Sequence, residues 1–346
     1  MSSPIAVRGS GWGRALLGRI IAGHASGSEI PLFDEVRRHN VAMRSYARVL
    51  PAALVGILAI FAPPVAAAPA PGVSQARLPF PLTLQPEGVQ APTAALAEAN
   101  TGLIVWSRQP DTRVPIASIT KVMTAVVVLE AGDLERPITV SRKAIDYAAA
   151  YDGSTADLAP GEVLTARQLL YAMMLPSGCD AAYALAEAYG PGQDAFIAKM
   201  NATARRLRMS STHFSDPSGL PAPGDFSTYS TPAELVKLGR HAMAHPVFRE
   251  IVKARTYHQP AGPANRDHVW ETTNGLLREY PGTTGIKTGS TDAAGTCLLF
   301  EASRGAQRLI GVVLNSSPHD LAAATADATR IMDWGFIPIL GALPIG

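Results

Sequence analysis

The chain has 346 residues, of which 47% are hydrophobic and 17% charged, so it can bury a sizeable core as one large domain or two small ones and is not a disordered polymer. Its 30 Gly and 28 Pro predict many turns but form no collagen-like period. The formal charge of +2 is uneven, because residues 1–67 hold seven Arg against three acidic residues and leave 23 basic and 25 acidic residues beyond them; a body near neutrality lacks the clustered basic face that displaces phosphate counterions, which excludes nucleic acid as a partner.

Arg44 and Arg48 precede an uncharged stretch from Val49 to Ala62, and Pro63-Pro64-Val65-Ala66-Ala67-Ala68 follows it with small residues. That is the layout of a secretory signal. The apolar stretch is about 14 residues, short of the roughly 20 that span a bilayer as a helix. Residues 1–67 are therefore expected to be an export signal, with Met43 standing where such a signal normally begins. The mature protein is expected on the outer face of the cell envelope or secreted, with peripheral membrane association left open. Residues 68–92 are Pro-rich and lack a period, as in an extended leader. Cys179 and Cys297 could bridge after export, but sequence separation does not establish the Cα spacing of roughly 4.4–6.8 Å that a bridge needs, and two free thiols are expected.

The body, residues 93–336, opens on a hairpin: Thr93–Glu98 and Leu103–Ser107 are β-like runs, and Gly102 in the turn can take a positive φ. Pro115 to Glu130 is nearly all apolar, the pattern of a helix buried on every side. Helices are predicted over Ala166–Leu175, Ala181–Tyr189, Gln193–Leu207 and Pro232–Ala244, with Arg205-Arg206-Leu207-Arg208 on a solvated face. Strands return at Thr284–Thr288, Thr296–Ser303 and Gln307–Asn315, and helix Asp320–Asp333 closes the body. Strands at both ends with helices between predict one α+β domain whose sheet is completed late, with a helical subdomain packed on it. The tail, residues 337–346, is apolar and broken by Pro338 and Pro344, so it is not an amphipathic anchor.

Ser118-Ile119-Thr120-Lys121 places a Ser and a Lys at i and i+3, leaving the same helix face about one turn apart. Burial lowers a Lys pKa, and a neutral amine within reach of a hydroxyl can accept its proton, so a Ser becomes a nucleophile without a His. Pro176-Ser177-Gly178-Cys179-Asp180 lies between two predicted helices, and Gly285-Ile286-Lys287-Thr288-Gly289-Ser290 on a late strand. Ser177 follows Ser118 by 59 residues and Lys287 follows Ser177 by 110. This is the order of the Ser-x-x-Lys, Ser-Asp-Asn and Lys-Thr-Gly set, although only the Ser of the middle motif matches. Each motif is ordinary alone; the ordered triplet in an exported chain is specific.

With these segments in place the sequence resembles the low-molecular-mass penicillin-binding proteins, the serine D-alanyl-D-alanine carboxypeptidases. Ala97-Glu98-Ala99-Asn100-Thr101-Gly102, Pro115 to Ala125, Asp216-Pro217-Ser218-Gly219-Leu220 and Lys287 to Gly295 look like family segments in family order, and the likeness runs from about Thr93 to Phe336. It implies a five-stranded antiparallel sheet flanked by helices, of the beta-lactamase/transpeptidase-like kind, with the cleft between sheet and helical subdomain. It also implies that Ser118 attacks the D-Ala-D-Ala peptide bond of a peptidoglycan stem peptide, Lys121 takes its proton and Ser177 relays one to the leaving D-Ala. Lys287 and Thr288 would bind the terminal carboxylate, the N–H groups of Ser118 and Ser290 would hold the oxyanion, and Gly289 would keep the strand edge open. No metal or organic cofactor is implied, and beta-lactams are expected as covalent inhibitors. Cys179 departs from the commonest family residue, an Asn that bonds to substrate and helps fix the lysine, and offers only a weak donor and acceptor. The family includes Ser-Gly-Cys members, some acting as transpeptidases, so a D,D-transpeptidase using an amine acceptor is the alternative activity.

Three other readings are weighed. A beta-lactamase needs a base that activates water, a Glu in class A enzymes, and Glu162 in Pro160-Gly161-Glu162 reads instead as a solvated turn residue. His241-Ala242-Met243-Ala244-His245 spaces two His at i and i+4, but Ala242 stands where a metallopeptidase has its general-base Glu, so the pair is read as structural. A catalytically silent cell-wall-binding protein that keeps the fold is the reading from another class, and Cys179 is the feature in its favour.

Overall fold

The structure, a computed structural model, describes residues 85–337. The expected export signal, most of the expected leader and residues 338–346 lie outside the described residues. Among the described residues no helix is long and apolar enough to cross a membrane.

The first strand, β1 (Thr93–Glu98), is buried at five of its six positions, and β2 (Ile104–Arg108) folds back on it through a turn in which Gly102 takes φ +79°. A short β3 (Val114–Pro115) and a 3₁₀ turn (Ala117–Ile119) lead into α1 (Thr120–Ala131), where every residue from Thr120 to Val128 is buried. The helical region follows: β4 (Pro137–Thr139), α2 (Arg142–Ala150), β5 (Val163–Thr165), α3 (Ala166–Met174), α4 (Cys179–Tyr189) and α5 (Gln193–Arg206). The chain continues through β6 (Tyr229–Ser230), α6 (Pro232–Met243), α7 (Pro246–Lys253), β7 (Thr256–Gln259), β8 (His268–Glu271) and α8 (Leu276–Glu279). It ends in β9 (Thr283–Thr291), β10 (Gly295–Arg304), β11 (Gln307–Leu314) and α9 (Leu321–Gly335). Local chemistry sets several of these boundaries. Thr165 and Gln168 form a reciprocal capping box at the start of α3, Thr231 caps α6 with Pro232 in its first turn, and Asp320 caps α9, each satisfying amide donors that the helix itself cannot.

The main sheet has five strands in the order β2-β1-β11-β10-β9, all neighbours antiparallel. The first strand therefore closes against the last, with Thr93 opposite Leu314 and Glu98 opposite Leu309. Side chains alternate between the two faces of a strand, and both faces here are covered. Leu96, Leu298, Phe300 and Val313 pack with Ala328, Ile331 and Met332 of α9, whereas Ala95, Leu299, Ile310 and Val312 join the core built by α1, α6 and the helical region. Only β10 pairs with β9 among the described strands, so β9 is an edge.

Two details depart from expectation. The helix predicted from Pro115 begins instead as β3 and the 3₁₀ turn, because Ala117 takes φ +45°, which an α-helix does not accommodate. Gly219 presses on that turn so closely that a Cβ there would lie 1.8 Å from the Ala117 carbonyl oxygen. At the other end of the sheet, the final residues of the expected leader pack on the body. Arg108 donates to the carbonyls of Val89 and Ala91, and the amides of Gln90 and Ala91 donate to the Asp327 carboxylate at 2.9 and 2.8 Å.

Candidate active site

The 3₁₀ turn before α1 presents Ser118, half-buried, while Lys121 in the first turn of α1 is fully buried. One turn of helix brings the two together: Lys121 Nζ donates to Ser118 Oγ at 2.8 Å. Two further acceptors hold the same amine, the Ser218 carbonyl at 2.9 Å and Cys179 Sγ at 3.4 Å. Cys179 opens α4, and its amide donates to the Ser154 carbonyl at 2.8 Å, which ties the loop after α2 to the second motif. Asp180 beside it is buried and accepts from the amides of Ala156, Leu158 and Ala181. Burial pushes its carboxyl pKa upward against those amide bonds.

Ser118, Cys179 and Ser290 line a cleft of about 320 Å³ together with Tyr151, Ser154 and Leu220. Ser177, at φ +70°, is buried and does not line it, and neither do Lys287 and Thr288, which are 1% and 5% exposed. Strand β9 comes against the 3₁₀ turn at Gly289. A Cβ on that residue would sit 3.1 Å from the Ser118 amide nitrogen and from the Ile116 carbonyl oxygen, so only glycine lets the strand edge and the nucleophile's turn meet without one of them giving way. Lys287 Nζ has the Thr288 hydroxyl at 3.5 Å, and Thr288 shares a 2.6 Å hydroxyl contact with Thr273. Complete burial, and next the nearby Lys121 side chain, hold the Lys287 pKa well below the ordinary lysine value.

The structure adds residues that the motifs did not point to as site groups. Asp216 receives the Ser218 hydroxyl at 2.8 Å and the Gly219 amide at 2.5 Å, and Thr124 of α1 donates to the Pro217 carbonyl at 2.6 Å. This loop thereby aims the Ser218 carbonyl at Lys121. Tyr147 of α2 joins it, bonding to the Asp216 carboxylate and lying 2.6 Å from the Ser218 hydroxyl. Burial, and then the Asp216 charge, raise the Tyr147 pKa, so the phenol stays a neutral donor.

Glu162 is a correction. It was expected to be solvated, yet it is 6% exposed and accepts from the amides of Ala159 and Arg266 at 2.6 and 2.7 Å and from His268 Nε2 at 3.1 Å. The antiparallel β4–β5 pair carries it inward, where it anchors the loop before β5. Burial works against its charge, and these donors more than compensate, so its pKa is lowered. It does not line the Ser118 cleft. Cys179 and Cys297 are separate buried free thiols, the latter pushed up to about 12 by burial.

A cleft serine whose hydroxyl rests on a buried lysine, beside an edge strand of a five-stranded sheet, defines a serine hydrolase activated by lysine on the transpeptidase and beta-lactamase-like fold. Comparison with known proteins narrows this class. Residues 81–318 match the model of the D-alanyl-D-alanine carboxypeptidase family of peptidases. The chain is 42% identical over 248 residues to a D-alanyl-D-alanine carboxypeptidase of Streptomyces sp. (strain K15), covering 68% of this chain and 84% of that one. It is 38% identical over 256 residues to DacB2 of Mycobacterium tuberculosis (strain ATCC 25618 / H37Rv), covering 72% and 84%. The crystal structure of the Streptomyces K15 DD-transpeptidase superposes with a TM-score of 0.67 at 40% identity, covering 72% of this chain and 97% of that one. The chain belongs to the serine D-alanyl-D-alanine carboxypeptidase family, whose members hydrolyse or transfer D-Ala-D-Ala peptides.

Proposed function

We propose that this protein trims peptidoglycan stem peptides ending in D-Ala-D-Ala, with Ser118 as the nucleophile. The observation that carries the reading is the 2.8 Å contact between the buried Lys121 amine and the hydroxyl of Ser118, which lines the cleft. Ser118 Oγ attacks the penultimate D-Ala carbonyl as Lys121 takes its proton, and the oxyanion draws on the amides of Ser118 and Ser290. Ser177 passes a proton to the departing D-Ala nitrogen, the C–N bond breaks, and an acyl ester on Ser118 remains until water attacks it. Lys287 and Thr288 hold the substrate's terminal carboxylate, which brings the buried lysine the counter-charge that offsets the cost of charging it there. A beta-lactam opens along the same path and stays on Ser118 as an ester.

Covalent labelling by a fluorescent penicillin, with D-Ala release from a pentapeptide measured alongside, tests the assignment. Ser118→Ala should fold normally and lose both signals; retained labelling overturns the nucleophile and leaves the silent wall-binding reading no better off, since that reading expects no labelling in the parent either.

Transfer to an amine is the second reading. It is favoured by the thiol of Cys179 at 3.4 Å from Lys121, where a thiol leaves the cleft less polar than an amide and so less hospitable to water. An amine acceptor included in the D-Ala release assay shows the crosslinked product directly. The N-terminal pattern further supports an exported protein beginning between Ala67 and Ala70, with peripheral membrane association left open. N-terminal sequencing of the protein from the cell envelope checks this, and a chain retaining Val49–Ala62 defeats it.

A further inference from the structure

Glu130, His241 and His245 converge far from the cleft. Glu130 lies near the end of α1, His241 in the last turn of α6, and His245 caps α7, so three helices meet at these side chains. Their ligand atoms all lie within 4.8 Å of one another. His241 Nε2 is 2.7 Å from Glu130 Oε1, and the two imidazoles stand edge to face with centroids 5.6 Å apart. The turn between α6 and α7 is held by backbone bonds from the Ala244 amide to the His241 carbonyl and from the His245 amide to Ala242. The two rings are therefore fixed on one side of it.

From this geometry we infer that Glu130, His241 and His245 form a binding site for a borderline divalent cation of the zinc class. Four-coordinate zinc takes bonds of roughly 2.0–2.2 Å to nitrogen and oxygen, which places its ligand atoms about 3.3 Å apart. The His241–Glu130 contact of 2.7 Å is shorter than that and no pair exceeds 4.8 Å, so small side-chain rotations complete a two-imidazole, one-carboxylate set with water in the fourth position. Two imidazoles among three donors select zinc, cobalt or nickel over magnesium or calcium, which take oxygen ligands. The carboxylate is already oriented: Arg206 binds Glu130 Oε2 and leaves Oε1 facing the histidines, the kind of outer partner that directs a ligand in metal sites. On binding, the cation replaces the proton that His241 shares with Glu130. The His241 and Glu130 side chains are each 28% exposed, which gives the ion a path from solvent. The guanidiniums of Arg206 and Arg249 nearby repel it, and affinity is accordingly moderate.

The consequence is structural. Glu130 follows Ser118 by twelve residues, about 18 Å along a helix, so the ion does not reach the reacting atoms. It instead ties the far end of the nucleophile's helix to α6 and α7. The test uses the full chain without a histidine tag, stripped with EDTA and titrated with Zn²⁺ and Co²⁺. One equivalent of Co²⁺ should develop the intense visible absorption of a four-coordinate site, and Zn²⁺, but not Mg²⁺, should raise Tm by several degrees. His245→Gln and Glu130→Gln should each weaken binding by at least the roughly 10–100-fold that losing even an outer partner costs, while penicillin labelling proves both variants folded. Absence of the cobalt spectrum in the parent protein, or undiminished metal affinity in both variants, overturns the site.

Discussion

Gly289 shows how much function one missing methyl carries. The strand and the 3₁₀ turn approach until a Cβ would stand 3.1 Å from both Ser118 N and Ile116 O, and 3.2 Å from Ala117 Cβ. Two of those three neighbours are backbone atoms and cannot swing aside as a side chain tip could. Gly289→Ala must then push β9 away from the turn by a few tenths of an ångström, widening the slot between the nucleophile and the edge strand. Overpacking of this kind costs about 1–3 kcal/mol, and a misplacement of about 1 Å can cost on the order of 100-fold in rate, so a shift of part of that size should slow acylation by about tenfold. Penicillin-labelling rates and thermal melts on the same preparation read the two effects. A variant that is acylated at the parental rate would show that the close approach serves packing alone.

The elements that sequence patterns anticipated are mostly those with a Gly, Pro or capping residue at one end. The segment Thr93–Glu98 was expected as a strand and is β1, and α3, α5, α6, β10 and β11 fall within a residue or two of expectation. Helix α2 is not legible in the sequence because its buried residues are only Ala144 and Ala148, whose small side chains carry little hydrophobic signal. Helix α7 has Pro246 in its first turn and buries Phe248, Ile251 and Val252, a legible pattern in a segment of eight residues, too short for the windows in which periodicity is judged. In the same way the three motifs were readable, whereas Tyr147 was not, since its role depends on a loop 69 residues away. That loop is where an element-scale prediction belongs. Tyr147→Phe removes the phenol that binds both Asp216 and Ser218, leaving the buried carboxylate short of a donor at a cost of about 1–3 kcal/mol. The loop that aims the Ser218 carbonyl at Lys121 then loosens. Acylation should slow several-fold when measured well below the melting temperature, because the Ser218 carbonyl is held less firmly against the lysine. A lowered Tm with an unchanged acylation rate would reduce Tyr147 to a packing residue.

At the scale of the whole molecule the active site is a source of instability that the fold tolerates. Lys287 is completely buried, and burial, then Lys121, depress its pKa well below the ordinary value, with no carboxylate in contact among the described residues to offset either effect. The sign of the linkage follows directly. In the unfolded chain the group titrates near 10.4, so between the depressed folded value and about 10.4 the unfolded state binds more protons than the native one. Stability from this group therefore rises with pH across that window, and the penalty is present in full below the folded pKa. Lys287→Met retains the length and apolar stem while removing the charge. It should stabilise the protein at neutral pH by about 1–4 kcal/mol, the range seen when buried ionic groups are replaced by apolar ones, and raise Tm by several degrees. The gain should shrink steadily as pH rises toward about 10.4, above which the parent's lysine is neutral in both states. Because substrate carboxylate loses its cation, penicillin labelling and D-Ala release should fall together, trading function for stability. Thermal melts of parent and variant from pH 6 to about pH 10 decide the matter: a variant that is no more stable at neutral pH, or whose advantage stays constant with pH, would mean that Lys287 is not held in the fold at an electrostatic cost.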